Sequence, residues 1–365
     1  MTTRIRARAS SVLDAFSMNS VADAAAFVAP SETMGRFLDR ALVEPTRTGL
    51  AFVDGEGEGR NQHQHQQPKH SHDHNRRRTV GALVPGEILE IVGPPGSGKT
   101  SILTEIASRA TLTRGRSDGI DLGGSSATCV FVDCDGKFDQ LRFLRTTDEK
   151  IADGVARAGN RARQGAREEI YEESMSRFTL VRAHAMLDVL KALAALDAAW
   201  GGEVDAGGAF GERSGEGFNV DGSESTGGGS ESARGDRRSR QRVVLIDNIA
   251  AFYWLDRASR KDHGAPYNIQ RVFSAAARLL KRLATAHRAA IVVTKATLST
   301  NEGLRGGEYR DFLPVEWSNA VTQRILLSPS KERVEYGEYA GVATWDTPVQ
   351  RRGGKFVVTE QGIRC

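Results

Sequence analysis

The chain has 365 residues, 39% of them hydrophobic and 26% charged, enough apolar material for one large or two modest cores. A formal net charge of +4 permits nucleic acid as a partner without demanding it. No run approaches the ~20 apolar residues that span a bilayer. The three cysteines, Cys129, Cys134 and Cys365, form no paired framework, which excludes a disulfide scaffold and points to a reducing compartment.

In chain order, residues 1–30 read as an extension expected to be disordered. Arg4, Arg6 and Arg8 precede the first acid, Asp14, and fit a frayed basic terminus better than an organellar transit peptide. Residues 31–53 hold a short amphipathic helix, SETMGRFLDRALVE, with a Ser or Thr cap. Residues 54–78 are polar and carry five of the eight histidines between His63 and His74. Irregular spacing and no surrounding hydrophobics favour a solvated insert over a metal site. GEILEIVG then predicts a strand, followed by a glycine loop and a helix from Lys99 to Thr111; residues 111–126 form a Gly/Ser/Asp loop. ATCVFVDCD is a strand, in which Cys129 and Cys134 fit neither a zinc knuckle nor a redox pair and read as buried small hydrophobes. FDQLRFLR is a helix, SRFTLVRA a strand and MLDVLKALAALDAA a helix.

Residues 201–240 are rich in Gly, Ser, Glu and Arg and bury too little apolar surface to offset their ordering entropy. VVLIDN is a strand, NIQRVFSAAARLLKRLATAH a helix and AAIVVTKA a strand; TQRILLS, GVATWDT and KFVVTE close the chain as β segments. Alternating strands and helices with near-continuous apolar strands predict an α/β core, a mostly parallel central sheet flanked by helices and finished by antiparallel strands. The core is expected in two parts, 79–200 and 241–365, around the second insert.

The sharpest local signal is GPPGSGKT: Gly93, Pro94, Pro95, Gly96, Ser97, Gly98, Lys99 and Thr100. It fits GxxxxGK[ST] and lies between a predicted strand and helix, as that motif requires. The glycines let backbone N–H groups turn inward around phosphate, and the helix N-terminus adds its positive dipole end. Lys99 is expected to reach the β- and γ-phosphates of ATP and the Thr100 hydroxyl to ligate Mg²⁺. Such a site needs a second acid at the end of a buried strand to hold the metal shell through water, and VVLID supplies Asp247. For an acid that orients the attacking water, Asp133 and Asp135 close the strand VFVDCD. Asp135 is the better candidate, although either residue can instead cap the following helix.

The strand, phosphate loop and helix, then VFVDCDGKFD, LIDNIAAFYWLDR and IVVT in that order, resemble the RecA/Rad recombinase family. With SRFTLVRA, FLPVEWSNAVTQRILLS and KFVVTEQGIRC the resemblance narrows to the eukaryotic Rad paralogues of the X-ray-repair cross-complementing type. It runs from about Ser31 to the C-terminus with the inserts excluded and implies a RecA-like ATPase core. Carried over by position, Asp135 stands where recombinases place a glutamate, one methylene longer. Lys295 and Ala296 stand where recombinases carry an Asn-Gln pair whose glutamine senses the γ-phosphate, and alanine has no amide to do so. Trp254 replaces an arginine that strand-exchanging relatives set beside DNA. Asp346 and Pro348 resemble a cap over a neighbour's ATP in filaments, though a β-turn with Pro accounts for them too. Arg257, Arg260 and Lys261 match the family's first DNA-facing loop, and Arg305 and Arg310 the second. Phe252, Tyr253 and Trp254 read as packing or interface ahead of base stacking, and Phe273, in the recombinase-like FSAA, as core.

The resemblance implies an ATP-binding accessory subunit in a complex of Rad paralogues, at most a weak DNA-dependent ATPase. Such a subunit assists the strand-exchange recombinase on single-stranded or branched DNA during double-strand break repair in the nucleus. No helix-hairpin-helix domain is recognised ahead of the core, in keeping with an adaptor. The alternative is an active DNA-dependent ATPase or recombinase, organellar or nuclear. No membrane is implicated.

Overall fold

The structure is a computed structural model that describes residues 45–55, 83–115, 119–208, 241–258, 269–297, 311–348 and 353–365. The chain divides into units Met1–Val43 and Glu44–Cys365, and every described element belongs to the second. The extension at 1–30, the predicted helix at 31–44, all but the first two residues of the insert at 54–78 and the bulk of the second insert lie outside the described residues.

Among the described residues nine strands form one sheet in the order β3-β2-β4-β5-β1-β6-β7-β8-β9. They are β1 (Ile88–Gly93), β2 (Thr128–Asp133), β3 (Phe178–Arg182), β4 (Arg242–Asp247), β5 (Ala289–Ala296), β6 (Gln323–Pro329), β7 (Tyr339–Thr347), β8 (Gly354–Thr359) and β9 (Gly362–Arg364). From β3 to β6 the pairing is parallel; β6 through β9 is antiparallel. β1 is buried at every position and β4 at all but its first, as strands with helices on both faces must be.

Among the described residues the helices are α1 (Ala51–Asp54), α2 (Lys99–Thr111), α3 (Gln140–Ala158), α4 (Ala166–Ser176), α5 (Met186–Gly208), α6 (Tyr253–Ala258), α7 (Ile269–His287) and α8 (Val315–Ala320). Because side chains alternate across a strand, β4 feeds both layers. Val244 and Ile246 join Val189 and Leu193 of α5 and Phe273 and Leu280 of α7. Val243 and Leu245 join Ile102 and Ile106 of α2 with Ile325 and Phe356 of the C-terminal strands. The α7 core face, Ile269, Phe273, Ala276, Ala277, Leu280 and Ala284, repeats at three- and four-residue spacing. Phe273 is therefore core, as the sequence indicated.

Three local differences from the sequence reading have physical causes. The helix after β2 runs to Ala158 because Asp139 caps it, accepting from Arg142 N at 3.0 Å, and its buried Phe143 and Ile151 continue the apolar stripe. The loop at 111–126 is not merely polar: Leu112, Ile120 and Leu122 pack with Ile151 and Ile170 of α3 and α4 in a small third core. α5 extends to Gly208, into the stretch assigned to the second insert.

Candidate nucleotide site

Parallel registration gathers the functional residues. Gly93 pairs with Ala296 across β1 and β5, and Asp133 with Asp247 across β2 and β4. The carboxyl ends of these strands thus lie along one edge, where open α/β sheets bind ligands. The cleft there has a volume of about 660 Å³, in the range of small-molecule sites.

Two glycines shape the loop. Gly98 adopts φ +82°, open to glycine at no steric cost. A Cβ at Gly93 would sit 2.6 Å from Ser97 Oγ and 2.9 Å from Leu327 Cβ. Lys99 opens α2, and its ammonium donates to the carbonyls of Gly93 (2.9 Å) and Pro94 (2.7 Å). Burial pushes its pKa down to about 8, against an upward pull from Asp247. The next residue closes the site: Thr100 Oγ1 donates to Asp247 Oδ2 at 2.6 Å. Thr294 on β5 donates to the other oxygen, Oδ1. Asp247 is buried, and desolvation raises its pKa although both hydroxyl donors oppose the rise.

Of the two acids after β2, Asp133 turns inward and accepts the amides of Lys137 (3.2 Å) and Phe138 (3.3 Å), so it holds the turn. Asp135 lines the cleft, paired with Lys137 at 3.2 Å. Pro95, Gly96, Ser97, Gly98, Lys99 and Thr100 also line it, while Gly93 and Pro94 supply the carbonyls beneath. Cys129 and Cys134 are buried, and burial raises both thiol pKa values, in keeping with their reading as small hydrophobes.

The opposite wall carries Ala296 and Thr297. Lys295 is turned out of the cleft and fully buried, 2.7 Å from Glu90 Oε1 and 2.8 Å from Asp311 Oδ2. Arg324 joins this cluster, contacting Glu90 Oε2 at 2.6 Å and Asp346 at 3.3 Å. The Asp346 carboxylate of the TWDTP turn is thereby engaged within its own chain. Neither that cluster nor Lys137, Thr294 and Thr297 was anticipated from sequence. For Thr294 a signal existed: it lies on the strand beside VVLID, two residues before Ala296.

The aromatics after Asp247 divide. Tyr253 is buried, edge-on to Phe312 (4.8 Å) and Phe273 (5.8 Å), and Phe252 packs on the same core. Trp254 is 48% exposed and lines the cleft with Phe312. Arg257 of the first basic group lies over Trp254, 5.4 Å from the ring centroid. Arg260, Lys261, Arg305 and Arg310 lie outside the described residues.

A nucleoside triphosphate with Mg²⁺ fits this cleft. The glycine loop leaves room for phosphate against backbone, the Thr100–Asp247 pair presents hard oxygen donors to a cation, and two hydroxyls in the wall wait for partners. Thr297 Oγ1 and the Tyr339 hydroxyl are buried atoms with no hydrogen-bond partner among the described residues. The described residues contain no cluster of three or more His, Cys, Asp or Glu suited to a metal. No described helix is long and apolar enough to cross a membrane.

No protein-family model matches the chain. Two relatives do. The DNA repair protein XRCC2 homolog of Arabidopsis thaliana is 23% identical, over 75% of this chain and 79% of its own length. DNA repair protein XRCC2 of Mus musculus is 22% identical, over 77% and 85%. The RecA-like sheet order and a phosphate loop facing the tip of β4 accompany this likeness, so the chain is similar in sequence to XRCC2-type Rad paralogues.

Proposed function

We propose that this chain is an ATP-binding DNA repair protein, an accessory subunit of a nuclear complex of Rad paralogues. The complex assists the strand-exchange recombinase on single-stranded or branched DNA during homologous recombination. Support for DNA repair comes from the relatives' names. Support for the accessory role comes from one observation: the phosphate and metal end of the cleft is complete, while its sensing end is not. Lys99, Thr100 and Asp247 are assembled, whereas Ala296 offers no polar side-chain atom and Lys295 is committed to Glu90 and Asp311.

In this reading the loop amides and the Lys99 ammonium hold the β- and γ-phosphates. Thr100 and Asp247 would hold a Mg²⁺ ion, the hydroxyl and the carboxylate supplying oxygen donors. When bound, the metal neutralises charge on the phosphate oxygens. Thr294 keeps the Asp247 carboxylate oriented. Asp135 orients water poorly, being short and paired with Lys137. The chain therefore holds ATP and turns it over slowly. The hydrolytic alternative, a DNA-dependent ATPase, is favoured by the presence of Asp135 in the cleft.

Steady-state ATP turnover by the full chain, with and without single-stranded DNA, separates the two. The accessory reading expects turnover far below the roughly 1–10³ s⁻¹ of typical enzymes, unchanged by DNA. Strong DNA stimulation abolished by Lys99→Ala would overturn it.

A further inference from the structure

The wall at the end of β5 holds a group that the family pattern does not assign. Thr297 N donates to Gly93 O at 3.1 Å, the same carbonyl that accepts the Lys99 ammonium at 2.9 Å. Thr297 is thus fixed by its backbone at the phosphate lysine, on the side of the cleft where Ala296 stands. Its hydroxyl is buried and has no partner among the described residues, an arrangement that costs free energy unless a ligand supplies the acceptor. A threonine hydroxyl can donate to an anionic oxygen, and such charge-assisted bonds are the stronger kind.

We propose that Thr297 reads the terminal phosphate, its hydroxyl donating where Ala296 has no amide, so that the chain distinguishes a nucleoside triphosphate from a diphosphate. This rests on the nucleotide reading above and deepens it: Thr297 reads the phosphate in binding alone, while the place of the sensing amide stays empty at Ala296. Thr297 is a specificity residue, with no part in breaking a bond.

Calorimetric titration of the full chain with Mg²⁺ and either ATPγS or ADP tests it. Thr297→Val keeps the shape and the backbone bond but removes the hydroxyl. It is expected to weaken ATPγS binding at least about tenfold while ADP affinity stays unchanged, and Thr297→Ser is expected to retain the preference. Equal losses for both nucleotides, or no loss for either, would overturn the proposal while leaving the site intact. The nucleotide reading is tested separately by Lys99→Ala, which must weaken both ligands. A wild-type chain that binds neither removes both claims.

Discussion

Asp247 sits in a place that resists its charge. Burial raises its pKa, with only the Thr100 and Thr294 hydroxyls and Lys99 opposing. A carboxyl whose folded pKa lies above its unfolded one stabilises the fold at low pH and loses that contribution as pH rises through the folded value. Once ionised, the Asp247 carboxylate therefore costs stability. Asp247→Asn is expected to raise the melting temperature of the ligand-free chain and to weaken the Mg²⁺ dependence of nucleotide binding. Thermal melts with and without MgATP check both halves. Lys99 has the opposite ionisation and a depressed pKa of about 8. Its ammonium costs the fold below that value, so stability rises between about pH 8 and the ordinary lysine value of 10.5. ATP affinity is expected to fall as pH rises through about 8, with proton uptake on binding, visible as a buffer-dependent heat in calorimetry. Lys99, Thr100 and Asp247 were legible in the sequence because the phosphate loop is a contiguous pattern whose chemistry demands an acid on another strand. Thr297 was not, because a lone threonine carries no pattern; only its unpartnered hydroxyl on the cleft wall singles it out.

Between elements, the sheet is pinned by a buried ionic cluster. Glu90 of β1 meets Lys295 of β5 and Arg324 of β6, and Trp317 of α8 donates to Glu90 Oε1 at 2.8 Å. Breaking one side of a buried pair strands the other charge, so Lys295→Met is expected to cost about 3–5 kcal/mol in urea unfolding. Adding Glu90→Gln to Lys295→Met is expected to recover a large share of that loss. Independent, additive losses would show that the two residues are not coupled. In the sequence, Glu90 passes as one acid inside an otherwise apolar strand, and its partners come from two other strands. Pairing across a sheet depends on register, which a single chain read linearly does not display. The order of strands and helices was legible for the reason this cluster was not: periodicity and glycine breaks are local. α4, α6 and α8 escaped, the last two because six-residue helices hold too few turns to show a stripe.

For the molecule as a whole, the RecA-like sheet brings the ends of β1, β2, β4 and β5 to one edge and closes the cleft with the C-terminal strands. Val358 of β8 lies 3.0 Å from where a Gly98 Cβ would stand. The phosphate loop is thus built against the last strands of the chain. The proposed role, holding nucleotide rather than hydrolysing it fast, rests on a cleft with Lys99, Thr100 and Asp247 assembled and an alanine where the resemblance implies an amide. Equilibrium binding of ATP to the full chain, with and without Mg²⁺, tests that most directly. The account predicts binding strengthened by Mg²⁺ and weakened roughly 10- to 100-fold by Lys99→Ala. A wild-type chain that binds no better than the Lys99→Ala variant would contradict it.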